Sequence, residues 1–319
     1  LKNHSIKEWC AGFMVRSMEG AGQMAPVMMN NQSLNVMVLG WDLVSKPLME
    51  SLAGDKCKTL GMLILQGSRF EAGSLGVLAG TLKQCINLRD FRISSADDGG
   101  EGIEGFLIEG LELPPTITKL CLGHNKLSDE GTRTLAASMS SCSSLGTLTL
   151  HRNNIGASGA TALAEVLSHN PHLTELDLAY NRVGQEGAGA LCRGLMKGDS
   201  LALKVLNLAG NNLSTYGALE LAPILRQSTS LTSLNLHCND IWAGRTRGHE
   251  VFDEAWKLIS LLECCQSLRT VDLTYNGIQT FVSEDMRRFI QALFATSAHS
   301  TSVKLGDGDI GSATPRGPG

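Results

Sequence analysis

The sequence predicts an α/β fold, a solenoid of stacked strand–turn–helix units. Three observations carry that expectation. One spacing of leucines and asparagine recurs in phase along the chain, and a helix-like pattern of apolar and small residues follows each clear recurrence. The composition also suits an extended aliphatic core, with 43% hydrophobic residues but only 8 Phe, 4 Trp and 3 Tyr among 319 residues. A chain of this length suggests about two domains, but stacked repeats lengthen one body instead.

The clearest unit reads Ile117-Thr-Lys-Leu120-Cys-Leu122-Gly-His-Asn125-Lys-Leu127. A step of 28 reaches Leu145, Leu148, Leu150, Asn153 and Ile155, and another 28 reaches Leu173, Leu176, Leu178, Asn181 and Val183. A step of 30 gives Leu203, Leu206, Leu208, Asn211 and Leu213. Then 28 gives Leu231, Leu234, Leu236, Asn239 and Ile241, and 37 gives Leu268, Val271, Leu273, Asn276 and Ile278. Weaker units precede these at Leu34/Met37/Leu39, Leu60/Leu63/Leu65 and Leu88/Phe91/Ile93, with Asp42, Ser68 and Ala96 in the asparagine slot. Val303, Leu305 and Ile310 continue the series, and Ile6 with Trp9 fits a remnant of one more unit.

Within a unit, L-x-L alternation makes a short strand with its leucines on one face. Asparagine at a fixed place beyond it suits a turn, where the side-chain amide satisfies backbone groups. Repeated in register, these asparagines would form a ladder between turns. Segments such as Gly159–Leu167 and Gly187–Leu195 then read as helices, with Leu163 and Leu167 four apart on one face. Small Ala and Gly let the strand and helix layers approach. No unit buries its apolar face alone, so stacked units share a core.

These residues resemble the leucine-rich repeat family, in its ribonuclease-inhibitor-like class, on the long period and the full helix. The resemblance implies a horseshoe solenoid with a parallel sheet on the concave face and helices on the convex face. The expected organisation is a degenerate N-terminal repeat or incomplete cap over 1–33, a solenoid of about ten units over 34–310, and a disordered tail over 311–319. The chain starts at Leu1 rather than Met, which fits a processed or truncated product. The step of 37 holds about nine extra residues near 242–250, either a binding loop or a tolerated surface insertion.

The binding face follows from the pattern. Outward slots before each asparagine place Trp41, His124, His151, Arg152, Tyr180, His237 and Tyr275 along one rim, and the insertion adds Trp242, Arg245 and Arg247. Aromatics and arginine are the residue types enriched at binding hot spots. Asp177, Asp272 and Glu175 add acidity. Val36, Val38, Met62 and Ile64 also fall on outward positions, which marks either an apolar interface or a slipped register in those degenerate units.

Chemical motifs are weak by comparison. Cys57, Cys85, Cys142 and Cys265 each sit three residues before a unit's first leucine, which reads as a packing slot. No C-x-x-C occurs, so no zinc site is expected. Gly306–Gly311 matches G-x-G-x-x-G but runs into Pro315 and Pro318 instead of a helix, and so reads as a degenerate turn. The sequons at Asn3, Asn31 and Asn212 are read as silent. The 8 histidines have no metal-ligand spacing, and no G-x-S-x-G is present. Catalytic residues, metal and cofactor are therefore all expected to be absent.

Net charge is −4, from 27 basic and 31 acidic residues, unlike a nucleic-acid binder. No apolar run reaches the roughly 18–20 residues of a membrane span. An odd 9 cysteines favours a reduced, cytoplasmic setting. The expected function is a non-catalytic protein–protein interaction scaffold, a subunit of a larger intracellular assembly, whose partners are one or more proteins and not nucleic acid, membrane or a small-molecule substrate. Two alternatives come with the resemblance. One is a Ran-type GTPase-activating protein, using Arg152, Arg245 or Arg247 as an arginine finger, although that family's acidic tail is missing. The other is the ligand-sensing region of a larger immune-type receptor.

Overall fold

A computed structural model of the chain describes residues 7–12, 33–40, 43–71, 73–95, 111–197, 202–242, 249–277 and 301–305. Trp41, Arg245, Arg247, the G-x-G-x-x-G segment and the tail 311–319 lie outside the described residues.

In chain order the N-terminal units provide β1 (Glu8–Gly12), β2 (Val36–Gly40), β3 (Leu43–Val44), α1 (Lys46–Leu52), β4 (Met62–Phe70), α2 (Ser74–Leu82) and β5 (Asp90–Ser95). The strong units follow with β6 (Lys119–Cys121), α3 (Ser128–Ser138), β7 (Thr147–Thr149), α4 (Ala157–Leu167), β8 (Glu175–Asp177) and α5 (Gly184–Leu195). The last are β9 (Val205–Asn207), α6 (Ser214–Leu219), α7 (Ala222–Gln227), β10 (Ser233–Asn235), α8 (His249–Cys264), β11 (Thr270–Asp272) and β12 (Ser302–Lys304). All strands but β3 follow one another in sequence order across a single parallel sheet, while β3 pairs with β4 alone. This is the α/β leucine-rich-repeat solenoid that the spacing predicts.

The register is the one the leucines dictate. Leu120 pairs with Leu148, Leu148 with Leu176, Leu206 with Leu234, and Leu234 with Val271. At the N-terminal end Trp9 stands opposite Met37 and Met37 opposite Leu63. In β6 to β10 the middle residue is buried and both neighbours are half-exposed. One sheet face therefore lies on the core and the other is open. The degenerate units keep the same phase: Met37, Leu39, Leu63 and Leu65 are buried, while Val36, Val38, Met62 and Ile64 are half-exposed.

The core is one continuous cluster from Leu34 to Leu305, with Phe91 and Trp242 as its aromatic members among otherwise aliphatic and sulfur-bearing side chains. Helices close on one another through small residues. A Cβ on Gly187 would stand 3.1 Å from Ala160 Cβ and 3.2 Å from Ala157 Cα, so glycine is what lets α5 approach α4. Cys57, Cys85, Cys142 and Cys265 are buried as the packing slot predicts.

The asparagine ladder joins the turns. Asn125 N–H donates to Asn153 Oδ1 at 3.0 Å, and Asn153 N–H to Asn181 Oδ1 at 2.9 Å. Asn211 and Asn239 repeat this toward Asn239 and Asn276, at 2.9 and 2.8 Å. Each amide nitrogen in turn donates to a leucine or isoleucine carbonyl of the preceding unit, as from Asn181 to Leu150 at 3.0 Å. All six asparagines are buried. A buried polar group is tolerated only when hydrogen-bonded, and here each one satisfies backbone groups of two turns.

Candidate partner-binding face

The turn that follows each strand sets the rim. In it, the residue just before the asparagine is left-handed, with φ of 61° at His124, 54° at Arg152 and Tyr180, 53° at Cys238 and 56° at Tyr275. The same slot is Gly67 in an N-terminal unit and Gly210 in the strong series. Left-handed backbone is unfavourable for residues bearing a Cβ, and the ladder holds it in place. Arg152, Tyr180 and Tyr275 are exposed and His124 is half-exposed.

Two clusters form across neighbouring turns. In the first, the His124 and His151 rings meet edge-on, with centroids 4.9 Å apart at 86°. His151 lies over Gly123, where any Cβ would run into its ring. Its Nδ1 is 3.9 Å from Asp177 Oδ2, beyond hydrogen-bond reach. Burial holds the His151 pKa below its ordinary value; Asp177 opposes that shift, and His124 and Arg152 reinforce it. The Arg152 guanidinium caps the Tyr180 ring 4.9 Å from its centroid, a cation–π contact.

In the second cluster His237 and Tyr275 meet at 5.0 Å and 68°. The Thr274 hydroxyl donates to Asp272 Oδ1 at 2.6 Å, and His237 Nδ1 is 2.6 Å from the same hydroxyl oxygen. A hydroxyl has one proton, and the carboxylate takes it. His237 Nδ1 is therefore the donor to Thr274.

Elsewhere on the open sheet face Arg92 forks onto Asp90, with Nε to Oδ1 at 2.8 Å and Nη2 to Oδ2 at 2.6 Å. That hydrogen-bonded carboxylate raises the Arg92 pKa. Burial raises the Cys121 thiol. Among the described residues no group of three or more His, Cys, Asp or Glu is placed to hold a metal ion. No helix among them is long and apolar enough to cross a membrane.

The rim expectation thus brings together His124 with His151, Arg152 with Tyr180, and His237 with Tyr275. It needs one correction. Trp242, assigned above to the insertion as a binding residue, is 2% exposed and belongs to the core. Its backbone N–H donates to the Asn276 carbonyl oxygen at 2.9 Å, so it continues the turn begun at Ile241 and folds inward. Sequence reasoning also passed over Gly123 and Thr274, which seat the two histidines. Their only signal is position, one residue beyond the strand's last leucine.

Against known proteins, the leucine rich repeat family matches six segments, 114–136, 141–164, 169–192, 202–222, 227–241 and 264–280. A search of curated proteins finds no match. Among solved structures the chain is similar to the leucine-rich repeat-containing protein LegL7 from Legionella pneumophila, at 16% identity and a TM-score of 0.44, over 93% of this chain and 89% of that one. It is also similar to the leiomodin-1 actin-binding site 2, at 19% identity and a TM-score of 0.39, over 52% of this chain and 87% of that one.

Proposed function

This chain is a leucine-rich repeat protein, and we propose that it serves as a non-catalytic interaction scaffold, a subunit of a larger cytoplasmic assembly that holds a partner protein on its turn rim. The observation that carries the reading is the pair of stacked clusters, Arg152 on Tyr180 and His237 on Tyr275. Exposed aromatics and a guanidinium fixed by rigid turns give large contact area with little rotamer entropy left to lose on binding. The acidic side chains of Glu175, Asp177 and Asp272 lie half-exposed on the sheet beside them and favour a partner with basic groups. Buried thiols outside any disulfide at Cys85, Cys142, Cys192 and Cys265 suit a reducing compartment.

The test is capture of the native protein followed by crosslinking mass spectrometry. Reproducible crosslinks from rim turns to another chain are expected, and Tyr180→Ala with Tyr275→Ala should lower partner retention by about tenfold or more. Crosslinks confined to this chain would refute a stable scaffold. Arg152 is exposed, so stimulated GTP hydrolysis by a small GTPase, lost in Arg152→Ala, would replace the scaffold reading with the GTPase-activating one.

A further inference from the structure

The opposite, helical side of the solenoid carries a second feature near the insertion. The helical segment after β9 is broken in two: α6 and α7 have 6 residues each, with Pro223 in the first turn of α7. Proline lacks the N–H that would continue the preceding helix, so it starts a new one. The next helix, α8, runs for 16 residues. Elsewhere neighbouring helices close through glycine and alanine, but here bulkier side chains face each other and leave an open cleft of about 760 Å³.

Its floor is apolar. Leu219, Ala222 and Trp256 are only partly buried against the core, and Leu261 lies beneath them. Its lips are cationic, with Arg226 from α7 and Lys257 from α8 both exposed and without an ion-pair partner among the described residues. Trp256 and Cys264 recur on one face of α8, as do Lys257 and Leu261 four residues apart, and that face turns toward α6 and α7. An open cleft between helices, with an apolar floor and basic lips, suits the apolar face and flanking acids of an amphipathic helix rather than an enclosed small molecule.

We propose that this cleft receives an amphipathic helix of a partner protein, whose apolar ridge packs on Leu219, Ala222 and Trp256 and whose flanking carboxylates pair with Arg226 and Lys257. The proposal rests on reading the chain as a protein-binding module, but it assigns a second face, distinct from the rim.

Two exposed thiols make the test specific, because Cys264 lines the cleft and Cys238 lies on the rim. The full chain is labelled with maleimide, and the modification of each cysteine is followed by peptide mapping. The probes are a stapled synthetic helix of about sixteen residues, with leucines on one face and glutamates on both flanks, and its twin with lysines on the flanks. The glutamate helix is expected to slow Cys264 labelling at least about tenfold and to leave Cys238 unchanged, while the lysine twin does nothing. Arg226→Glu with Lys257→Glu, both at exposed positions, should reverse that preference. Equal protection by both helices, or by neither, overturns the proposal. So does concentration-dependent protection of Cys264 in the protein alone, accompanied by dimer in sedimentation, which would make the cleft a self-interface. Native capture through the rim that survives in the charge-reversed protein leaves the scaffold reading intact when the cleft fails. Capture indifferent to both rim and cleft variants removes both.

Discussion

The units over 33–95 and those over 111–277 solve the same problem in different ways. In the later units each strand is 3 residues long, and an asparagine then takes over the backbone hydrogen bonds of the turn. In the earlier units Ser68 stands in the asparagine slot, and β2, β4 and β5 run for 5, 9 and 6 residues. β4 continues past a register shift between Leu65 and Ser68 to pair with β3 through Arg69 and Phe70. Backbone groups in a buried turn must be paired somehow. Where no amide side chain does it, the sheet lengthens and does it instead. The open faces differ accordingly, aliphatic at Val36, Val38, Met62 and Ile64, and polar with rings and charges from Arg92 onward.

The largest break of this contrast should come from the ladder. Asn181 accepts from the N–H groups of Asn153 and Ile155 and donates to the carbonyls of Leu150 and Leu178. Asn181→Ala leaves these groups buried and unpaired, so urea unfolding should show a loss of about 3 kcal/mol or more. A change under about 1 kcal/mol would mean that water replaces the amide and that the ladder is dispensable. Gly123→Ala comes next. Its methyl would strike the His151 ring, so a loss of about 1–3 kcal/mol is expected, together with shifted His124 and His151 ring resonances. Unchanged resonances would contradict the packing described.

In the earlier half the expected sign reverses. The Ser68 hydroxyl is buried with no hydrogen-bond partner among the described residues. Ser68→Ala should therefore be neutral or stabilise by up to about 1 kcal/mol, and a clear loss would show that this slot bonds as the asparagines do. The smallest effect concerns pH. His151 has a folded-state pKa below its ordinary 6.5, so the unfolded chain takes up the proton first as pH falls. Its contribution to stability is complete above about 6.5 and is lost as pH drops through the folded value. Hydrogen exchange at pH 5.5 should show loosening at the turns around His151 but not over 62–95, which holds no histidine. His151→Gln should abolish that difference.

Much of this was legible beforehand because a leucine-rich unit is specified locally. Leu148 and Leu150 are buried for the same reason that Leu176 and Leu178 are, and period alone places all of them. The phase held even in the degenerate units, where the half-exposed Val38 and Ile64 alternate with buried leucines. The asparagine slot likewise implies the ladder, because one amide recurs at one place in every strong unit. Trp242 was misplaced because it stands where the regular spacing ends, and the residue after Ile241 looks the same whether the chain leaves the core or folds back into it. The cleft left no local sign, since Arg226 and Lys257 read separately as ordinary helix surface.

By itself, then, the sequence determined the unit: which residues face inward, where each strand stops, and which side chain closes the turn. The tertiary structure decided what happens between units. It set His151 over Gly123, ran Asp272 through Thr274 to His237, and opened a groove between a proline-broken helix and a longer one. The physical reason is one of range. Burial periodicity is encoded within about thirty residues of chain, whereas contacts across turns and between helices depend on how neighbouring units stack.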